Sequence, residues 1–130
     1  GIPVSAIVTS ASVHDSQVAI PLAQKSAQRV TNLYDLMDAG YDAAAIRDHS
    51  QSLGHVPIID RNARGKQVAP MAPAQARRYR ERTTVERLNS DLKDNHGGRH
   101  VRVRGHAKVT LHLMCGVIVI AAMQLIRLLE

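Results

Sequence analysis

The sequence has few aromatic residues: its 130 residues include three Tyr and neither Phe nor Trp. A hydrophobic core built from this chain must therefore be aliphatic. Proteins that bind single-stranded nucleic acid by base stacking need aromatic side chains as platforms, so the composition disfavours that class. A single cysteine, Cys115, excludes a framework of intramolecular disulfides and suits a reducing compartment.

Long apolar runs are also scarce. The longest, residues 113–126, contains Gln124 and is short of a typical membrane span, so it predicts a buried helix rather than a membrane segment. The length and the apolar content of 45 % fit one globular domain. Because the chain begins with Gly1 rather than Met, we expect it to be a piece of a longer protein.

The net charge of +6 is unevenly distributed. Residues 1–70 hold six Lys or Arg and six Asp, whereas residues 71–130 hold eleven Lys or Arg and five acidic residues. The whole excess therefore lies in the second part of the chain. Between Arg77 and Lys108 there are ten basic and four acidic residues, which predicts a surface that binds a polyanion, most commonly nucleic acid.

The first 60 residues alternate between strand and helix patterns. Strands are predicted over 2–10, 31–37 and 55–60, with Pro57 favouring an edge position in the third. Helices are predicted over about 16–29, with Pro21 kinking or restarting the helix, and over 43–53, ending at Gly54. Asp15 or Ser16 is expected to cap the first helix and Asp42 the second. The pattern is that of an α/β layer with a partly parallel sheet.

The rest of the chain is predicted to be helical. Residues 61–73 form a loop or insertion, because Gly65, Pro70 and Pro73 interrupt any regular pattern. A long helix is expected from about 74 to 94, followed by a basic link over 99–108 and a last helix over 109–129. We expect Asp35 and Asp48 to be surface or capping residues.

The predicted helix 74–94 carries a row of polar side chains. Arg82, Glu86, Asn89 and Lys93 are separated by four, three and four residues and so share one face, while Val85, Leu88 and Leu92 form an adjacent apolar stripe. Taken alone, such a row of polar residues is also typical of a solvent-exposed helix face with ordinary ion pairs. Tyr79, three residues before Arg82, extends the row and completes a pattern with fixed gaps.

The spacing Tyr79-x2-Arg82-x3-Glu86-x6-Lys93 is the Y-R-E-K signature, and this region resembles the catalytic helix of DDE-type insertion-sequence transposases. The segment Asp38-x-Gly40-Tyr41-Asp42 resembles the part of that family that carries its second catalytic acid, and residues 12–16 resemble the preceding strand-to-helix corner. The resemblance runs along nearly the whole chain.

This resemblance implies an RNase H-like fold, a mixed sheet flanked by helices, with a helical C-terminal half. It implies that Asp38 and Glu86 are the second and third catalytic acids and hold Mg²⁺ or Mn²⁺ in the intact enzyme, whereas the isolated chain is expected to bind the metal weakly or not at all. It also implies that Tyr79, Arg82 and Lys93 contact double-stranded DNA at transposon ends. The resemblance also implies that the protein is bacterial and cytoplasmic and that it associates with the nucleoid when it is bound to DNA.

The chain departs from the family in one respect. The family's first catalytic Asp lies on the first strand of the sheet, and the strand predicted over 2–10 corresponds to the third. We therefore expect residues 1–130 to be the C-terminal portion of a catalytic domain, with an incomplete sheet that lacks its first two strands. We also expect that the isolated chain does not cleave DNA. Its parts would be an α/β part over 1–60, the loop over 61–73 and the helical part over 74–130.

The residue types suit this chemistry independently of the family. Phosphodiester cleavage and strand transfer use two divalent cations about 4 Å apart, and Mg²⁺ prefers carboxylate oxygens. A second basic group, comprising Arg99, Arg102 and Arg104, is expected to contact the DNA backbone. Two alternatives stay open: a non-catalytic DNA-binding or dimerisation remnant of a transposase, associating as a homodimer through the apolar last helix, and a different RNase H-like nuclease.

Overall fold

A computed structural model describes residues 1–63, 65 and 67–130. The chain divides into two compact units. Val13–Arg82 form one unit, and Gly1–Ser12 together with Thr83–Glu130 form the other.

The unit Val13–Arg82 is built on two parallel strands. Strand β1 (Tyr34–Met37) pairs with β2 (Val56–Ile59), with Tyr34 opposite Val56 and Met37 opposite Ile59. Parallel strands need a crossover connection, and α2 (Ala44–Ser52) supplies it. Helix α1 (Ala19–Ala27) precedes β1. The predicted order of helix, strand, helix and strand over residues 16–60 is confirmed.

Local sequence signals explain where these helices begin and end. A 3₁₀ turn over Asp15–Val18 precedes α1, and Pro21 lies in the first turn of α1, where its missing N–H costs no helical hydrogen bond. The predicted restart of this helix is confirmed. The predicted cap by Asp15 or Ser16 is not observed, because α1 begins after Val18 without a side-chain cap. The preceding 3₁₀ turn is capped by His14, whose ring Nδ1 accepts from the Ser16 N–H. Gly54 follows α2 with a φ of 78°, a conformation that glycine adopts without strain.

The core of this unit is aliphatic, as the composition requires. Ala19, Ile46 and Ile59 are buried together, and Met37 and Tyr41 pack against them. These residues come from α1, α2, both strands and the turn after β1, so burying them fixes the sheet and its crossover helix as one layered structure.

The strand predicted over residues 2–10 is not observed. No part of this segment forms strand pairing within the described residues. A strand is stable only when its N–H and C=O groups pair with a neighbour, and apolar composition alone does not supply that neighbour. In the described part of the chain the sheet consists of β1 and β2.

The single helix predicted over 74–94 is also incorrect. It is divided into α3 (Pro73–Tyr79), a 3₁₀ turn over Arg80–Arg82, and α4 (Thr83–Asp94). The boundary between the two units lies at this turn, between Arg82 and Thr83. Pro73 occupies the first turn of α3, so the predicted loop ends where the helix begins. That loop, 61–73, includes Arg64 and Lys66, which lie outside the described residues.

In the other unit, α4 packs against α5 (His106–Leu129). Helix α4 ends at Asp94. Gly97, three residues later, has a φ of 77°, and the Gly98 N–H donates to the Leu92 carbonyl oxygen at 2.9 Å. Gly116 of α5 lies against Leu92 and His96. A Cβ added there would come within 2.7 Å of Leu92 Cδ1, so the close approach of the two helices requires glycine.

Helix α5 forms as predicted, but it is longer and more exposed than the sequence indicated. Its buried residues are Gly116 and Ile120, because α4 covers one side of it. Over 24 residues with a mean hydropathy of 2.2, it is long and apolar enough to cross a membrane by length and composition alone, and 11 % of that apolar window is buried. The core helix of a soluble protein can pass the same length and composition test.

Candidate active site

Asp38 lies directly after β1, at the carboxyl end of the parallel strands, where open α/β sheets bind their ligands. Its Oδ1 accepts a hydrogen bond of 2.9 Å from the Gly40 N–H. Its side chain is 49 % exposed. The carboxylate therefore forms the turn and still presents its second oxygen, Oδ2, to the surroundings.

Two residues of the signature lie beside this carboxylate. Arg82 Nη1 is 3.6 Å from Asp38 Oδ2, and the Arg82 guanidinium is 5.3 Å from the centre of the Tyr79 ring. Burial raises the pKa of Tyr79, the positive charge of Arg82 opposes this shift, and the negative charges of Asp60 and Asp38 add to it. Asp38, Tyr79 and Arg82 are thus brought together at one end of the sheet.

The positions of Tyr79 and Arg82 depend on a residue that the sequence did not indicate. The guanidinium of Arg78 lies 3.9 Å from the centre of the Tyr34 ring, a cation–π contact. Tyr34 begins β1 and Arg78 is near the end of α3, so this contact holds α3 against the strand that leads to Asp38. No local sequence pattern links two residues so far apart.

Asp60 is a second residue missed by the sequence analysis. It follows β2 directly, and its N–H donates to the Met37 carbonyl oxygen at 3.2 Å, so the parallel register continues to the position beside Asp38. Its charge reaches the Tyr79 hydroxyl. The signal for Asp60 was its place at the end of the strand predicted over 55–60.

Tyr41 links the same carboxyl end to the start of the unit. Burial raises its pKa, and the negative charges of Asp15 and Asp38 raise it further. Asp15 therefore acts electrostatically on the turn that follows Asp38. The phenols of Tyr41 and Tyr79 both stay neutral over the physiological pH range.

Asp35, which lies in β1, is neither the surface residue nor the capping residue that was predicted. Its side chain is 14 % exposed and receives three hydrogen bonds. Oδ2 accepts from the Ser50 hydroxyl at 2.6 Å and lies 2.9 Å from His55 Nδ1, while Oδ1 accepts from the Asn32 amide at 2.8 Å. Since Ser50 and His55 are buried, their polar groups need this carboxylate as an internal partner.

Asp42 does not cap α2 as predicted. The helix begins after Ala43 without a side-chain cap, and Asp42 instead accepts from Arg47 Nη2 at 2.7 Å and from the Asn62 N–H at 3.0 Å. Both hydrogen bonds favour the ionised carboxylate, so they lower the pKa of Asp42. Asp42 therefore ties the start of α2 to the segment after β2.

Glu86 and Lys93 lie on α4, in the other unit, and both are exposed. Glu86 faces a shallow, open depression along this helix, together with Arg87 and Asp91. Of the predicted apolar stripe, Leu92 packs over Gly116, whereas Val85 is 58 % exposed.

The basic residues after α4 differ in their pairing. Arg99 Nε donates to Asp94 Oδ1 at 3.0 Å, so its charge is already matched. Arg102 and Arg104 are exposed in a segment that belongs to neither helix nor strand. His96 Nε2 lies 3.6 Å from Asp91 Oδ2, and the His112 ring hydrogen-bonds the Gly97 carbonyl oxygen.

The chemistry of these side chains suits a divalent cation, since Asp38 presents a carboxylate oxygen and Mg²⁺ prefers such ligands. Among the described residues, no three His, Cys, Asp or Glu side chains lie close enough together to hold a metal ion. Asp38 and Glu86 belong to different units of the chain.

Comparison with known proteins gives one match. Residues 1–121 match the family model described as the transposase DDE domain. No curated protein and no solved structure matches the chain significantly.

Proposed function

Since this chain belongs to the family of transposase DDE domains, which points to DNA transposition, we propose that its residues serve metal-dependent cleavage and transfer of DNA strands. The observation that carries the proposal is the meeting of Asp38, Tyr79 and Arg82 at the carboxyl end of β1. It joins a carboxylate, a phenol and a guanidinium from the two segments that resemble the family's motifs.

Asp38 and Glu86 are the proposed metal ligands and catalytic acids. When bound, Mg²⁺ or Mn²⁺ activates the attacking water or 3′-hydroxyl and stabilises the leaving oxygen. Asp38 contributes Oδ2, the oxygen that does not bond to Gly40. Glu86 contributes an exposed carboxylate on α4. Tyr79 remains a neutral hydrogen-bonding group at this end of the sheet, because its pKa is raised.

Tyr79, Arg82 and Lys93 are the proposed contacts to the DNA close to the reacting phosphate. A guanidinium can bind a phosphate through two parallel hydrogen bonds, and an ammonium acts as a point charge. The basic segment Arg99, Arg102 and Arg104 extends the contact along the duplex backbone. Arg102 and Arg104 supply most of this contact, because Asp94 already compensates Arg99.

The proposal is tested by binding Mn²⁺ to the isotopically labelled chain. Bound Mn²⁺ broadens nearby amide signals, so we expect loss of the Ala39 and Gly40 signals at sub-stoichiometric Mn²⁺. Asp38→Asn should abolish this broadening and Glu86→Gln the broadening around residue 86. Asp48→Asn, on an exposed position of α2, is the matched control and should change neither. Broadening that is unaffected by Asp38→Asn would remove Asp38 from the site.

A nicking assay on plasmid DNA tests the accompanying expectation. The resemblance assigns the family's second and third acids to this chain but not the first, so we expect no cleavage by the 130 residues alone with Mg²⁺ or Mn²⁺. Cleavage that is abolished by Asp38→Asn would overturn this expectation while strengthening the assignment of Asp38.

A second candidate function is a non-catalytic DNA-binding and dimerisation module. One observation favours it: within the described residues no three potential metal-ligating side chains are grouped together. This candidate keeps the basic segment and a homodimer through α5 but needs no metal. Binding of duplex DNA that is unaffected by Mn²⁺, without selective broadening at Asp38, would support it. In both cases we propose a bacterial cytoplasmic protein that associates with the nucleoid.

A further inference from the structure

Helix α5 carries an apolar stripe on its exposed side. Its members are separated by four and three residues in alternation, and all are exposed: Leu111, Cys115, Ile118, Ala122, Leu125 and Leu129. The mean spacing is that of the seven-residue repeat with which helices pack in pairs. None of the six residues is charged. The buried residues Gly116 and Ile120, which face α4, lie on the other side of the helix.

The sizes of these side chains select an orientation. Consider an antiparallel pair of α5 helices whose two-fold axis crosses the stripe at the level of residue 120. Ile118 then faces Ala122 of the partner subunit, and Cys115 faces Leu125 of the partner subunit. Each small side chain then meets a large one, which fills space without strain. In a parallel pair in register, Ile118 instead faces Ile118 of the partner subunit and Ala122 faces Ala122 of the partner subunit. The layer at residue 118 is then crowded, and the layer at residue 122 is underfilled.

The charges favour the same orientation. Lys108 lies in the first turn of α5, and Glu130 follows its last residue. Antiparallel packing brings Glu130 close to Lys108 of the partner subunit at both ends of the pair and opposes the two helix dipoles. Parallel packing would instead place both copies of Lys108 and Arg104 at one end.

We propose that a second copy of this chain covers the α5 stripe in an antiparallel helix pair. This inference rests on the homodimer included in the proposed function and specifies its interface and orientation. The stripe runs from residue 111 to residue 129, about 27 Å of helix at 1.5 Å per residue. The contact is isologous, as expected for a two-fold dimer.

The first experiment uses disulfide formation under mild oxidation of the full chain. The native chain, with Cys115 alone, should form little covalent dimer. Leu125→Cys should form covalent dimer efficiently, with mass spectrometry locating the bond between residues 115 and 125. The double variant Cys115→Ser, Leu125→Cys should again form little. Efficient Cys115–Cys115 bonding in the native chain would show a parallel pair and overturn the inference, while leaving the homodimer in place.

The second experiment measures the dimer by sedimentation equilibrium. Ile118→Glu should raise the dimer dissociation constant by about tenfold or more, with the helical circular dichroism signal retained. Val85→Glu, which changes an equally apolar and exposed residue of α4, is the matched control and should leave the constant unchanged. An unchanged constant in Ile118→Glu would overturn the inference.

Two further outcomes would also overturn the inference. One is a monomer at all concentrations, and the other is a monomer that floats with phosphatidylcholine vesicles, which would assign the stripe to a membrane. Either result would contradict the proposed homodimer, but neither would contradict the proposed roles of Asp38, Glu86 and the basic segment. The Mn²⁺ experiment tests those roles independently.

Discussion

Arg82 Nη1 lies 3.6 Å from Asp38 Oδ2, while the same guanidinium faces the Tyr79 ring. The positive charge of Arg82 therefore compensates the Asp38 carboxylate, which we propose as a metal ligand. The same guanidinium is the group that we propose for phosphate binding. Arg78, stacked on Tyr34, holds α3, which carries Tyr79 and leads directly into the 3₁₀ turn that carries Arg82. A change in the charge of Asp38 should therefore change the position of the Arg82 side chain.

The first prediction concerns the ionisation of Tyr79. Because the positive charge of Arg82 stabilises the phenolate, Arg82→Ala should raise the pKa of Tyr79 further above its ordinary value. Ultraviolet titration of the tyrosines measures this shift, with Tyr79→Phe identifying the signal. Arg77→Ala, an exposed neighbour on α3, should have a much smaller effect. Equal titration curves for Arg82→Ala and the native chain would contradict the contact.

The second prediction concerns the buried carboxylate of Asp35. Asp35→Asn keeps the shape but replaces one acceptor oxygen by a donor, so Ser50 or His55 loses its partner in the interior. The expected loss in the free energy of unfolding is about 1–3 kcal/mol. Urea unfolding followed by circular dichroism measures it. Asp48→Asn, at an exposed position, should change stability by no more than about 0.5 kcal/mol.

Local patterns in the sequence were sufficient for part of the fold. Pro21 and Gly54 fix helix boundaries through their own backbone preferences. Asp38 was identified by the resemblance of the segment 38–42 to the motif that carries the family's second catalytic acid. The partners of Asp35 could not be predicted, because Ser50 lies in α2 and His55 directly precedes β2, both distant from Asp35 in the sequence. Likewise, no Gly or Pro marks the 3₁₀ turn over Arg80–Arg82. Contacts between distant segments, rather than propensity, decide these features.

The third prediction concerns acid sensitivity. Hydrogen bonds from Arg47 and Asn62 lower the pKa of Asp42 in the folded chain, so the ionised group stabilises the fold above its unfolded pKa, about 3.9. That contribution is lost as the pH falls through the lowered folded pKa. Asp42→Asn should therefore destabilise the chain near pH 7, and the difference from the native chain should vanish in strong acid. Unfolding by urea at a series of pH values measures the difference, and a constant difference would contradict the assignment.

The fourth prediction concerns the crossing of α4 and α5. A Cβ at position 116 would lie 2.7 Å from Leu92 Cδ1 and 2.9 Å from the His96 carbonyl oxygen. Gly116→Ala should lower the free energy of unfolding by about 1–3 kcal/mol through overpacking. In a double-mutant cycle, Leu92→Ala removes one of the two obstructing atoms, so the double variant should lose less stability than the two single variants together. Strict additivity would contradict the close contact.

The last prediction concerns the basic segment. Each phosphate contact that releases a counterion adds about 0.9 to the slope of the logarithm of affinity against the logarithm of salt concentration. Arg102→Gln should therefore lower this slope by about 1, and adding Arg104→Gln should lower it by about 1 more. Arg99→Gln should have a smaller effect, because Asp94 already pairs with Arg99.

Fluorescence anisotropy with a labelled duplex, measured at several salt concentrations, supplies these slopes. Arg127→Gln removes the same charge from the end of α5, outside the basic segment, and serves as the matched control. If Arg127→Gln lowers the slope as much as Arg102→Gln, the affinity depends on net charge alone. A drop that is confined to Arg102 and Arg104 places the duplex backbone along the segment between α4 and α5, which contains three Arg and no acidic residue.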